Sequence, residues 1–210
     1  AANILDAESM SVWKDVDGIL NADPKVFPDA VQIAELNYLD TIELAYSGAQ
    51  IIHPKTIKPL QNKNIPLYVR PFGDKRKPGT VIRRMSAPIE VPILILKKDQ
   101  VLLTIRSDFS FVLEEKFAAI FSLLERYRIK VNLVHNSAVN LSLCVDNSWH
   151  IDEAIQALRN EEFDVMKVEN MELLTIRGYN GDLMERYASG PEVFLLQRTQ
   201  STARIVRKNR

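Results

Sequence analysis

The chain of 210 residues is long enough for one large domain or two small ones. Hydrophobic residues make up 46% of it and charged residues 26%, which is typical of a folded globular protein and excludes a disordered one. Its 27 basic and 27 acidic side chains give a formal net charge of +0, so no general attraction to nucleic acid or to a membrane surface is expected.

The single Cys144 excludes an internal disulfide and fits the reducing cytoplasm. No apolar run approaches the length needed to cross a bilayer, and no charged-then-apolar leader opens the chain. The chain starts at Ala1 without a methionine, and its most informative motif lies within the first 25 residues. We therefore expect it to be part of a longer protein.

Residues 13–25 read Trp-Lys-Asp-Val-Asp-Gly-Ile-Leu-Asn-Ala-Asp-Pro-Lys and predict a strand that feeds an Asp-Gly turn. Gly18 permits the tight reversal, and Pro24 stops regular structure because proline has no backbone donor. A calcium loop of the EF-hand type would need a closing Glu at a fixed place after the glycine. That Glu is absent, so we reject a calcium site.

The next elements alternate between helix and strand. Apolar residues at helical spacing predict a helix over residues 36–46, with Asn37 as a plausible cap and Gly48 as the stop. A second helix is predicted over residues 55–61 and a strand over residues 65–70. This alternation predicts a layered α/β domain.

Two prolines within residues 86–92 indicate a domain boundary. Beyond it the sequence Leu-Leu-Thr-Ile-Arg occurs at residues 102–106 and returns, 71 residues later, at residues 173–177, which indicates a duplicated module. The first copy, with its first and last strands predicted at residues 101–106 and 163–168, has the order βαββαβ, a ferredoxin-like sandwich, and the second copy begins with a strand at residues 171–177. The second copy lacks a closing helix and strand, so either the chain is cut there or residues 93–96 supply a strand.

Taken whole, residues 13–25 resemble the nucleotide-binding segment of the aspartate kinases in the amino acid kinase family. The resemblance continues through further blocks in the same order: Pro28-Asp29-Ala30, Glu43-Leu44-Ala45-Tyr46-Ser47-Gly48-Ala49, Ile52-His53-Pro54-Lys55-Thr56-Ile57, Lys63-Asn64-Ile65-Pro66 and Pro78-Gly79-Thr80-Val81-Ile82. Several ordered blocks are far more specific than one short motif.

The resemblance implies the C-terminal part of a three-layer α/β amino acid kinase domain at residues 1–85, which carries the nucleotide-binding side. Two ferredoxin-like (βαββαβ) ACT modules would follow, at residues 92–169 and 170–210. Because the two modules of aspartate kinases are interlaced, the resemblance favours residues 92–97 as a strand of the second module.

The activity implied is the transfer of a phosphoryl group from ATP to the β-carboxylate of aspartate, the first step toward lysine, threonine and methionine. ATP would bring Mg²⁺ with it as a substrate of the intact enzyme. The Lys-Phe-Gly-Gly-Thr-Ser loop that holds phosphates in the family is absent, and the seven glycines are isolated. We therefore assign no catalytic residue and expect the chain alone to be inactive.

By resemblance, seven positions would line the ATP pocket: Lys14, Asp15, Asp17, Gly18, Asp23, Lys25 and Gln50. Gln50 stands where the family commonly has Lys, and Lys25 where it commonly has Arg, so Gln50 cannot supply positive charge to a phosphate. The histidines have no metal-ligand spacing, and we assign no metal site. His53, beside Pro54, is predicted to be a structural hydrogen-bonding residue.

The ACT modules imply a sensor for an amino acid end product, lysine or threonine, and a homodimer formed through these modules. The matching effector positions are Ser110, Leu113, Glu115, Lys116, Asn132, Ser137, Ala138 and Val139. Lysine-sensing relatives have Asp and Glu where Asn132 and Ala138 stand, which weakens the case for a cationic effector. Two alternatives stay open: modules that only dimerise, and a free-standing amino-acid-binding regulatory subunit that is not an enzyme.

Overall fold

The computed structural model describes residues 2–49, 52–85, 91–107, 116–137, 139–190 and 192–209, apart from the side chain of Ser107. Its mixture of sheets and helices confirms the predicted α/β class. The chain separates into two compact units. The first comprises Ala1–Leu96, Thr175–Asn180 and Gln200–Thr202, and the second comprises Lys97–Leu174, Gly181–Thr199 and Ala203–Arg210.

The first unit is built on a four-stranded sheet with two helices. Its elements are β1 (Met10–Lys14), β2 (Ile19–Leu20), β3 (Gln32–Ile33), β4 (Glu35–Asn37), α1 (Tyr38–Tyr46), α2 (Pro54–Asn62), β5 (Leu67–Pro71) and β6 (Thr80–Arg83). The sheet order is β1-β5-β6-β4, with β1 parallel to β5 and β4 parallel to β6, while β2 and β3 form a separate two-stranded ribbon.

Both helices of this unit begin at a capping side chain, and Asn37 is the cap that the sequence predicts. The Asn37 side chain accepts a hydrogen bond from the backbone N–H of Leu39, at 3.1 Å, at the start of α1. His53 Nδ1 accepts from the backbone N–H of Lys55, at 3.2 Å, at the start of α2, where Pro54 occupies the first helical position. The structural role predicted for His53 is therefore confirmed.

A single apolar cluster joins these helices to the sheet, and Tyr38 is its largest fully buried side chain. The Tyr38 hydroxyl donates to the carbonyl of Ile65, at 2.6 Å, so the buried phenol is satisfied. Burial also raises the pKa of Tyr38, because the charged phenolate is poorly solvated there.

The second unit holds most of a six-stranded sheet. The elements after residue 92 are β7 (Ile93–Ser107), α3 (Phe117–Arg126), β8 (Val131–Asn136), β9 (Leu141–Asp146), α4 (Ile151–Asn160), β10 (Phe163–Arg177), α5 (Gly181–Ala188), β11 (Val193–Arg198) and β12 (Thr202–Lys208). The strand order is β11-β12-β10-β7-β9-β8, in which β11 and β12, β7 and β9, and β8 and β9 pair antiparallel. The two halves of this order mirror each other, as expected of a duplicated module.

The strands β7 and β10 are longer than the sequence predicts. Residues 93–96 and 101–106, which the sequence separates, form one strand, and β10 likewise runs through residues 163–177. The interruption in each is a single left-handed residue, Asp99 with φ 54° and Asn170 with φ 58°, which lie 71 residues apart like the repeat itself. Asp and Asn tolerate this conformation, so each strand continues through it instead of ending.

The sheet of the second unit has apolar residues on both faces. One face packs against α3 and α4 in a cluster that includes Leu103, Leu143 and Leu158. The other face holds a second buried cluster to which all six strands contribute: Leu102, Leu133, Cys144, Met171, Leu173, Leu195 and Val206. The edge strands β8 and β11 also approach each other, since Gln197 Nε2 donates to the carbonyl of Val134 at 3.4 Å. The sheet therefore curls around this second cluster.

Within the described residues, no helix is long and apolar enough to cross a membrane.

Candidate functional site

The stretch that follows β1 folds into a tight turn held by Thr80. The backbone N–H of Ile19 donates to Thr80 Oγ1 at 2.8 Å, and that hydroxyl donates to the carbonyl of Ile33 at 2.6 Å. Thr80 is fully buried, and Gly18 packs directly on it. A Cβ on Gly18 would lie 2.8 Å from Thr80 Oγ1, closer than real Cβ contacts come, so the turn needs glycine for close approach.

Gln32 supports the same turn from the other side. Its Nε2 donates to the carbonyl of Asp17 at 3.1 Å and to the carbonyl of Gly79 at 2.9 Å. The Asp17 carboxylate lies 2.6 Å from Lys77 Nζ, and both side chains are about half exposed. An ion pair so exposed contributes little to stability, so Asp17 and Lys77 remain accessible to a charged ligand.

The second half of the stretch forms a turn at Asp23. Its carboxylate Oδ1 accepts from the backbone N–H of Lys25 at 2.9 Å, and its carbonyl accepts from the backbone N–H of Phe27 at 2.8 Å. This is the turn that an Asp-Pro pair favours, because the Asp side chain bonds its own backbone two residues on.

The turn and its neighbours enclose a cavity of about 390 Å³ in the first unit. This lies within the size range of small-molecule sites, which is roughly 300–1,000 Å³. Its lining residues come from four separated parts of the chain: Lys14, Val16, Gly18, Ile19, Leu20, Ala22, Asp23, Pro24, Gly48, Ala49, Val69, Ile93, Leu94, Ile95 and Leu96. The wall is mostly apolar, with Lys14 and Asp23 as its charged members.

The structure brings three of the predicted ATP-pocket residues to this cavity, namely Lys14, Gly18 and Asp23. The other described members, Asp15, Asp17 and Lys25, belong to the same stretch and are exposed, but they do not line it. Gln50 lies outside the described residues. The assignment of these residues to ATP stays a prediction.

The sequence did not predict that residues 93–96 line this cavity. The sequence indicates only a strand of the ACT region there, because a run of Ile and Leu carries no functional signal of its own. The proximity of Gly48 and Ala49 was signalled only by their place in one of the resembling blocks.

The predicted effector residues lie in the second unit, and four of them are described. Lys116 stands at the N-cap of α3, with its ammonium 5.2 Å from the centroid of the Phe163 ring. Ser137 Oγ bonds Asn140 in the turn between β8 and β9, and Val139 in that turn is 58% exposed. The remaining members, Ser110, Leu113, Glu115 and Ala138, lie outside the described residues.

Asn132 belongs to a polar cluster at one end of the sheet. Its Nδ2 donates to Gln100 Oε1 and to Asp146 Oδ1, both at 2.7 Å, and its Oδ1 accepts from Lys97 Nζ at 2.9 Å. Lys97 Nζ also lies 2.6 Å from Asp146 Oδ1. An amino acid that uses Asn132 would have to exchange these bonds for its own, so the effector assignment stays a prediction.

Two titratable groups of this cluster are perturbed. Burial raises the pKa of Asp146, but hydrogen bonds from Lys97, Gln100 and Asn132 outweigh it, so the pKa ends below its ordinary value. Burial and the nearby Asp146 charge raise the pKa of Cys144 to about 12. The thiol is therefore not an activated nucleophile, which agrees with its buried strand position.

Among the residues described, no group of three or more His, Cys, Asp or Glu side chains is placed to hold a metal ion.

Comparison with known proteins shows which family the chain belongs to. The model of the amino acid kinase family matches residues 1–71. The chain is 31% identical over 199 residues to lysine-sensitive aspartokinase 3 of Escherichia coli, covering 92% of this chain and 44% of that protein. It is 34% identical over 174 residues to chloroplastic aspartokinase 1 of Arabidopsis thaliana, covering 80% of this chain and 30% of that protein.

Solved structures show the same fold. The aspartokinase III of E. coli in complex with lysine and aspartate superposes with a TM-score of 0.76 at 26% identity, over 98% of this chain and 49% of that one. The aspartate kinase of Clostridium acetobutylicum gives a TM-score of 0.86 at 18% identity, over 99% of this chain and 52% of that one, and so supports the fold alone.

The α/β fold and the family match over residues 1–71 define a protein of the amino acid kinase class. Within that class, the chain belongs to the aspartokinase family. It spans less than half the length of the curated aspartokinases named above.

Proposed function

We propose that the whole protein is an aspartate kinase and that this chain carries part of its ATP site together with an amino-acid-sensing region. The reaction would move the γ-phosphoryl group of ATP to the β-carboxylate of aspartate, giving ADP and 4-phospho-L-aspartate on the route to lysine, threonine and methionine. The observation that carries the proposal is the cavity at the Gly18 turn, where Lys14 and Asp23 meet an apolar wall.

The chemistry of the cavity suits one part of a nucleotide. An apolar wall of Val69, Ala49 and Leu94 can take the flat face of a base, while the Lys14 ammonium supplies positive charge toward phosphates. Mg²⁺ would arrive with ATP, and we assign it no ligand in this chain. Because phosphoryl transfer depends on positioned cations and donors, the chain without the family's phosphate-holding loop is expected to be inactive.

The second unit is the proposed sensor for an amino acid, lysine or threonine, and the proposed site of homodimer contact. The E. coli aspartokinase III structure was obtained with lysine bound, which supports lysine as the first effector to test. The match of residues 1–71 to a kinase family favours an enzyme over the alternative of a free-standing regulatory subunit. The single buried thiol suits the cytoplasm as the proposed location.

A calorimetric titration of the chain with Mg²⁺ and ATP tests the nucleotide part of the proposal. We expect saturable binding that Lys14→Met weakens, because the ammonium at the cavity is lost. Lys58→Met, at an exposed position on α2, is the matched control and should bind like the wild type. Absence of ATP binding by the wild-type chain would contradict the assignment of this cavity.

The sensor part needs its own titration, with lysine, threonine and methionine in turn. Saturable binding that Ser137→Ala removes would support the effector site, because Ser137 holds the turn between β8 and β9. Failure of all three amino acids to bind would leave dimerisation as the role of the second unit.

A further inference from the structure

Asn21 connects three segments of the first unit through four hydrogen bonds. Its backbone N–H donates to the carbonyl of Val31 at 2.9 Å, and its side-chain Oδ1 accepts from the backbone N–H of Val31 at 2.7 Å. Its Nδ2 donates to the carbonyl of Pro92 at 2.9 Å, and its carbonyl accepts from the backbone N–H of Leu94 at 2.8 Å. Every polar group of Asn21 is thus in use between residue 31 and residues 92–94.

The segments that Asn21 joins are two walls of the same cavity. Leu20, Ala22 and Asp23 on either side of it line the cavity, and so do residues 93–96 at the start of β7. Asn21 itself does not line the cavity. Its bonds therefore set the distance between two walls of the cavity. One wall is the turn at residues 18–24, and the other is residues 93–96, about seventy residues further along the chain.

We propose that Asn21 is a positioning residue of the nucleotide cavity, which holds residues 92–94 as a wall and so couples nucleotide binding to the order of the start of β7. The inference rests on the proposed function, because it takes the ligand of the cavity to be a nucleotide. It adds a residue that does not touch the ligand and a wall segment that the resembling blocks do not include.

The chemistry at this position requires an amide. One side-chain atom must accept from Val31 and another must donate to Pro92, and only Asn or Gln offers both on a planar group. In Asn21→Asp the shape is kept and the acceptor toward Val31 remains. The donor is replaced by a carboxylate oxygen that faces the Pro92 carbonyl, so the bond to the β7 wall becomes a repulsion.

The test compares Asn21→Asp with Asn3→Asp in the 210-residue chain. Asn3 makes the same kind of bond, from its Nδ2 to the carbonyl of Pro59 at 2.6 Å, in the same unit, but it does not line or border the cavity. We expect Asn21→Asp to weaken ATP binding about tenfold, as the loss of one well-placed hydrogen bond does, and Asn3→Asp to leave the affinity within about twofold of wild type.

Hydrogen exchange supplies a readout that a purely structural role would not move. In the wild-type chain, ATP should slow exchange of the backbone N–H of Leu94, because the ligand packs on the wall that this amide anchors. In Asn21→Asp this protection should be reduced. The wild-type measurement needs no variant, so unchanged exchange at Leu94 would overturn the inference even where Asn21→Asp does not fold.

Each outcome has one meaning. ATP binding by Asn21→Asp within twofold of wild type, or unchanged exchange at Leu94 when ATP binds the wild-type chain, would overturn the inference and leave the proposed function in place. Absence of ATP binding by the wild-type chain would overturn the proposed function and the inference with it. Weaker binding together with lost protection would support both.

Discussion

Gly18 shows how one residue fixes the turn at the candidate site. A Cβ there would lie 2.6 Å from Gln32 Nε2 and 2.8 Å from Thr80 Oγ1, and Thr80 cannot move without breaking its buried bonds to Ile19 and Ile33. We therefore expect Gly18→Ala to lower the free energy of unfolding by about 1–3 kcal/mol, the usual range for overpacking. Urea denaturation of the purified variant measures it.

The control for this substitution is Gly73→Ala. A Cβ on Gly73 would have no heavy atom within 4 Å, and its backbone has no left-handed φ. Gly73→Ala should therefore keep or slightly raise the free energy of unfolding, because Ala only restricts the unfolded chain. The same loss of stability in both variants would contradict the contact with Thr80 as its cause.

Asp146 makes the stability of the second unit depend on pH. Its pKa in the folded chain lies below the ordinary value of a carboxyl, so its contribution is present above that ordinary value, about pH 4, and is lost as the pH falls through the folded pKa. We expect Asp146→Asn to be less stable than wild type by about 2 kcal/mol near pH 7 and to approach wild type as the pH falls through the folded pKa of Asp146, since the hydrogen bonds to the charged carboxylate are then lost in both.

Urea unfolding at several pH values checks this expectation. Asp164→Asn is the matched control, because Asp164 is an exposed carboxylate of the same unit, and its curve should run parallel to that of wild type. A pH dependence in Asp146→Asn equal to that of wild type would contradict the account given for the cluster with Lys97 and Asn132.

At the scale of elements, the sequence predicted those whose ends are encoded locally. The helix α1 was expected at residues 36–46 and lies at Tyr38–Tyr46, because the Asn37 cap and Gly48 mark both ends. The strands β7 and β10 each join two pieces that the sequence predicts separately, because the apolar runs are interrupted around Asp99 and Asn170. Pairing across the sheet decides that the strand continues, and that information is not local.

The end of β10 is bound to α1 through Arg177. Its guanidinium makes ion pairs with Asp40 and Glu43, and it donates to Thr202 Oγ1 at 3.2 Å. Asp40 is only 8% exposed, so removal of Arg177 would leave a buried carboxylate without its ion pair. We expect Arg177→Met to lower the free energy of unfolding by about 3 kcal/mol, the low end of the range for breaking a buried pair.

The repeat provides the control for this prediction. Arg106 occupies the same place in the first copy of Leu-Leu-Thr-Ile-Arg but is exposed. Arg106→Met should therefore change the free energy of unfolding, measured in urea, by no more than about 0.5 kcal/mol. Equal losses in the two variants would mean that the arginine contributes through its strand and not through α1.

At the scale of the whole molecule, only some of the residues that line the candidate site could be predicted from the sequence. Lys14, Gly18 and Asp23 are neighbours in one motif and could be proposed together. The wall at residues 93–96 could not, because its apolar side chains carry no chemistry and its place depends on bonds from Asn21. The curl of the six-stranded sheet was likewise unpredicted, since it needs every strand to contribute to one buried cluster.

The sequence-based prediction of a homodimer can be located on the edge strands of this sheet. The strands β8 and β11 stand at the two ends of the strand order, and they carry exposed apolar side chains, of which Val134 is 39% and Phe194 is 48% exposed. Exposed apolar side chains on edge strands favour association, and one Lys among them opposes it. We therefore expect a dimer in sedimentation at about micromolar concentration, where interfaces of moderate affinity are occupied, and a monomer for Val134→Lys.

Met166→Lys, on β10 inside the sheet and 50% exposed, is the control that should remain dimeric. A wild-type monomer at that concentration would contradict the dimer, and dissociation by Met166→Lys but not by Val134→Lys would place its contact away from β8.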